Sequence, residues 1–233
     1  MGGKSLSGRA TKQKIYELLK SPDLASALVE ISRLPGRQVI NPLFSLLYNE
    51  DQDVKWSAVK AMGRVVAKMA DEDMESARVI MRRLMWNLND ESGGIGWGSP
   101  EAMAEILAWH DGLAKEYAHI LISYTREDGN YLEHEVLQRG LMWGIGRLAQ
   151  ESPHILKNAV HYLFPYLEST DATVRGLAAW VMGLLAVDDA VPQIRRLKSD
   201  ENQIQIYTNR GLVNCRVKDL AEEALSRLGD KEN

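Results

Sequence analysis

The sequence holds one cysteine, Cys215, which excludes an internal disulfide and a thiolate zinc cluster within the chain and suits a reducing compartment. No apolar run reaches the roughly 18 residues that a bilayer-spanning helix needs. The basic opening MGGKSLSGRATKQK is followed by no apolar stretch of signal-peptide length. The 28 basic residues are interspersed among 32 acidic ones for a net charge of −4, so the charge pattern carries no nucleic-acid footprint. Also missing are the GxxxxGK[ST] phosphate loop and the GxSxG nucleophile elbow. Cys215 has no histidine near it in sequence. These absences favour a cytoplasmic protein that binds no nucleic acid, membrane, metal or cofactor and performs no covalent catalysis.

What is present is a repeat. From Val54, small or apolar residues follow at +4 (Ala58), +7 (Ala61), +8 (Met62) and +9 (Gly63), one face of a helix. The template returns from Leu137 (Leu141, Gly144, Ile145, Gly146), Val174 (Ala178, Val181, Met182, Gly183) and Val217 (Ala221, Ala224, Leu225, Ser226). These anchors stand 83, 37 and 43 residues apart, and Pro100, with Ala104, Leu107, Ala108 and Trp109, fills the long gap. A period of roughly 40 residues with two helices in each is the pattern of a helical-hairpin solenoid. Asp51 and Asp171 each stand three residues before an anchor, where a short carboxylate caps a helix start. The alternation of Ile204–Val213 around Asn209-Arg210-Gly211 predicts a small β-hairpin that covers the open side of the last pair. The expected fold is all-α, an α-solenoid of about six right-handed helical hairpins with that hairpin near the C-terminus. Residues 1–10 are read as a flexible leader, 11–228 as one array and 229–233 as a tail.

The stretches Asp51-x-x-Val54-Lys55 through Met62-Gly63 and Asp171-x-x-Val174-Arg175 through Met182-Gly183 resemble HEAT repeats of the bacterial PBS-lyase HEAT-like type over about residues 36–228. Trp86–Met103 also resembles a signature of a group of such proteins in anaerobic bacteria. The resemblance implies a scaffold that binds partner proteins on a concave surface of second helices. The lyases that give the type its name attach or remove bilin chromophores, and no bilin-handling motif is found here. His134-Glu135 resembles the His-Glu pairs of HEAT-like di-iron hydroxylases, but one pair replaces the several those enzymes need.

Three sets of residues are candidates. The segment Asn89–Ser99 interrupts the array with four glycines, Gly93, Gly94, Gly96 and Gly98, among Trp86, Asn89, Asp90, Glu91 and Trp97. It reads as a folded recognition loop or as a spacer whose tryptophans plug the core. At one helical phase stand Trp143 and Trp180, joined a turn later by Arg64, His110 and Arg147. They read as a column for an anionic or aromatic partner, or as indoles filling the room beside Gly144, Gly146 and Gly183. Glu101 and Glu105, four apart, share a helix face that suits a hard cation, whereas Glu133, His134 and Glu135 read as a solvated helix start. The expected function is a protein-binding scaffold or adaptor and not an enzyme. The alternative is a small-molecule or cofactor-handling protein, lyase-like or metal-dependent, with a pocket beneath the glycine loop.

Overall fold

In the computed structural model, residues 8–89, 96–209 and 211–229 are described. The helices are α1 (Gly8–Leu19), α2 (Leu24–Arg33), α3 (Gly36–Leu46), α4 (Gln52–Glu72), α5 (Met74–Leu88), α6 (Ser99–Trp109), α7 (Asp111–Ser123), α8 (Glu135–Glu151), α9 (Pro153–Leu156), α10 (Ala172–Leu184), α11 (Val191–Arg196) and α12 (Val217–Arg227). A 3₁₀ helix, Lys157–Glu168, follows α9, and the strands β1 (Gln203–Thr208) and β2 (Gly211–Arg216) lie between α11 and α12. The architecture is all-α, an array of helical hairpins of the solenoid class with one two-stranded hairpin. Its contacts fall into two compact units, Met1–Ala114 and Lys115–Asn233, with the division inside α7. Helix α1 opens at Gly8, within the segment read as a leader, and already buries Thr11 and Ile15.

In the first unit α4 is central and packs against α2, α3, α5 and α6. Its start is fixed by Asp51, whose Oδ1 accepts from the amides of Asp53 (3.1 Å) and Val54 (3.4 Å); Asp73 does the same for α5. Such a cap satisfies amides that no earlier helical carbonyl can reach. Ser99 is already helical and caps nothing. The cap is Gly98, at φ +77°, where a Cβ would come within 2.8 Å of the Leu47 carbonyl oxygen. Both the left-handed conformation and the close approach require glycine.

The repeating +9 glycine has a packing cause. A Cβ on Gly63 would lie 2.6 Å from Glu105 Cγ on α6, and one on Gly183 would lie 2.6 Å from Ala224 Cα on α12. Adjacent second helices approach there so closely that no side chain fits. Ion pairs tie the starts of neighbouring second helices. Lys55 of α4 bonds Glu101 of α6 at 2.9 Å, and Arg139 of α8 chelates Asp171, the cap of α10. Arg175 of α10 then bonds Asp200, ahead of β1, at 2.6 Å.

In the second unit α10 packs against α8, the 3₁₀ helix and α12. The apolar residues of Lys157–Glu168 suggest an α-helix by their spacing, yet the segment is 3₁₀ over twelve residues. Pro165 cannot donate to a carbonyl four residues back, and runs of this length are uncommon. Strands β1 and β2 pair antiparallel from Gln203↔Arg216 to Thr208↔Gly211. Ile204 and Ile206 face inward, Ile204 meeting Gly176 of α10. The predicted hairpin is thus present, inserted in the turn of the last helical pair.

Candidate functional site

Lys60 of α4 and Glu105 of α6 face each other where Gly63 lets the two helices close. The Lys60 ammonium reaches both carboxylate oxygens at 3.0 Å, and the Trp109 indole N–H donates to Glu105 Oε1 at 2.9 Å. Glu105 is fully buried, and the cation and the indole together satisfy both of its carboxylate oxygens. With its N–H so engaged, Trp109 leaves its ring at the surface, 47% exposed, with the Arg64 guanidinium 5.0 Å from the ring centre. That separation is within cation–π range. Trp97 is 43% exposed and Trp86, on α5, is 74% exposed. The first unit therefore displays three tryptophans, and the packing holds at least Trp109 in one orientation.

Of the residues singled out by sequence, Asp90 and Glu91 lie outside the described residues, as do Gly93 and Gly94. Asn89 ends α5 through its backbone N–H, which donates to the Met85 and Trp86 carbonyls. Glu101 is buried against Lys55, out of a partner's reach. Since Glu101 and Glu105 each face a lysine, the hard-cation reading of that pair fails. Among the described residues no cluster of three histidine, cysteine or acidic side chains is placed to hold a metal ion. His110 is a cap: its Nδ1 accepts from the Leu113 amide at 3.0 Å, with Nε2 3.6 Å from Asp71.

The expected aromatic and basic column is divided. Arg64 and His110 belong to the first unit, and Trp143, Arg147 and Trp180 to the second. Trp143 is only 5% exposed. Its N–H donates to the Tyr207 carbonyl at 2.8 Å, and its ring meets that of Tyr207 edge-on at 6.3 Å. Trp143 holds the hairpin down and is no surface anchor. Half-buried Trp180 lies on Gly146, where a Cβ would be 1.9 Å from its ring, so this indole fills the gap the glycine leaves. Arg147 is tied to Glu151 at 2.6 Å. Cys215, on β2, has its thiol pushed up by burial and by Asp219 and Glu223, the reverse of what a thiolate nucleophile requires.

The sequence reading missed how Lys60, Glu105, Trp109 and Arg64 combine, because these residues sit at four different phases of the template. The Gly63 approach brings them together, and that glycine was the available signal.

The geometry defines a class, a helical-hairpin repeat protein of the HEAT and armadillo fold. An engineered protein of known crystal structure is similar, with a TM-score of 0.53 at 17% identity over 94% of this chain and 99% of the other. A designed armadillo repeat protein in complex with the peptide (KR)4 is similar at 0.51 and 20% identity, over 94% and 99% of the two chains. Within the class, residues 135–185, which span α8 to α10, match the HEAT-like repeat family. An uncharacterized protein of Archaeoglobus fulgidus is 28% identical over 186 residues, 78% of this chain and 92% of that one.

Proposed function

We propose that the protein is a scaffold or adaptor that binds a partner polypeptide, with the exposed tryptophans of the first unit as its anchors. The observation that carries this reading is the exposure of Trp86, Trp97 and Trp109, the last of them beside Arg64. Large exposed apolar groups cost solvation, and tryptophan and arginine dominate the energetics of protein interfaces. The designed armadillo protein of the same fold, in complex with a peptide, supports the same reading. The raised Cys215 thiol and the lysine-matched Glu101 and Glu105 support a binder over a catalyst. The Asp-x-x-Val-basic start and Met-Gly end of the repeats support the PBS-lyase HEAT-like type, and the lone cysteine fits a cytoplasmic location.

The test is affinity purification of the tagged protein from its own host beside the double variant Trp86→Ala, Trp109→Ala, with helicity followed by circular dichroism. The variant is expected to keep its helical spectrum and to lose its enriched partner, since each anchor contributes about 2 kcal/mol or more. Equal enrichment by both proteins would remove the tryptophans from the interface.

A further inference from the structure

The second unit contains a cavity of about 730 Å³ between the turn that follows α7 and the 3₁₀ helix Lys157–Glu168. Its base is organised by hydrogen bonds, two of them buried. The Tyr166 hydroxyl donates to the Thr125 carbonyl at 3.1 Å, and Gln138 Nε2 donates to the Tyr131 hydroxyl (3.1 Å) and the Leu132 carbonyl (2.8 Å). Two tyrosine rings, Tyr131 and Tyr162, form walls, and Glu127, Glu133 and Glu135 stand at the rim.

One wall already has its cation. The Arg126 guanidinium lies 4.8 Å from the Tyr162 ring centre and is clamped by both oxygens of Asp128, at 3.0 and 2.7 Å. Ring and carboxylate together hold a planar cation by cation–π attraction and charge-assisted hydrogen bonds. The other wall repeats the parts without the cation. Tyr131 is partly exposed and fixed by Gln138, and among the described residues neither Glu127 nor Glu133 has an ion-pair partner. Glu135 is met by the Thr170 hydroxyl at 3.5 Å. The base nearest in sequence, Arg139, chelates Asp171 and reaches Glu135 only through space.

We infer that this cavity is a recognition site for an arginine or lysine side chain from a basic segment of the partner polypeptide, seated on Tyr131 and neutralised by Glu133 and Glu135. The inference rests on the partner-binding reading and gives that partner a chemistry. The volume lies within the range of pockets that enclose a ligand group, and the surplus of carboxylates over the single internal guanidinium sets the sign of the occupant. Because the carboxylates at the rim are solvated, binding weakens with salt.

The experiment is calorimetric titration of the full chain at low salt with an arginine–glycine repeat peptide, a glutamate–glycine repeat peptide and free spermidine. The arginine peptide is expected to bind and the glutamate peptide not to. Glu133→Gln with Glu135→Gln, isosteric changes at exposed positions, should weaken the arginine peptide about tenfold. Absence of arginine-peptide binding, or equal binding by the glutamine variant, overturns the inference. Spermidine binding without peptide binding overturns the polypeptide source. A host partner that is still lost on removing Trp86 and Trp109, with no peptide binding, leaves the scaffold reading standing and removes only this site. Loss of neither overturns both.

Discussion

At the scale of single residues, the structure turns on carboxylates placed where only a specific cation makes them tolerable. Glu105 is answered by Lys60 and the Trp109 indole, so Glu105→Ala should cost about 3–5 kcal/mol in urea unfolding and free the Trp109 ring, seen as a shift in its fluorescence. Burial pushes the Asp171 carboxyl up, but the Arg139 guanidinium and the Val174 and Thr173 amides outweigh it and leave the group below its usual range. A depressed folded pKa gives stability that is complete above the unfolded value of about 3.9 and is lost as pH falls through the folded one. Asp171→Asn should therefore cost about 1–2 kcal/mol at neutral pH, with the deficit shrinking as pH approaches 2 in thermal melts. The capping role of Asp171 was legible in the sequence, three residues before its anchor. Its pairing with Arg139 was not, because that contact spans two helices and depends on how they close.

At the scale of elements, period and punctuation located most of the helices. The +9 glycine marked α4, α8 and α10, and the alternation around Asn209-Arg210-Gly211 placed the hairpin. The 3₁₀ segment Lys157–Glu168 was not legible, since its apolar spacing suits an α-helix and only Pro165 argues otherwise. The choice between surface and interior for Trp143 stayed open for a similar reason. A helical phase tells which way a side chain points, but not that β1 will lie over it. Trp143→Phe removes the indole N–H that the Tyr207 carbonyl accepts. That change should cost about 1 kcal/mol and speed hydrogen exchange of the amides in Gln203–Arg216 more than those of α8 or α10.

At the scale of the whole molecule, the array of helical pairs was legible because α4, α8 and α10 repeat one local pattern: a capped start, an apolar face and a glycine nine residues after the anchor. The sites were less legible, since repetition describes what the pairs share, and recognition depends on where they differ. Trp109 stands nine residues after the anchor Pro100 of α6, the place where α4, α8 and α10 carry Gly63, Gly146 and Gly183. The cavity beside Tyr131 lies against the irregular 3₁₀ helix. Where the ninth residue is glycine, a second helix is seated by a vacancy. A vacancy is indifferent to additions made elsewhere, and the hairpin in the last pair shows a turn lengthened while α10 and α12 keep their close approach at Gly183. Descent can then keep two separate ledgers, one for the spacing of the backbone and one for what the surface displays, and rewrite the second while the first stays fixed.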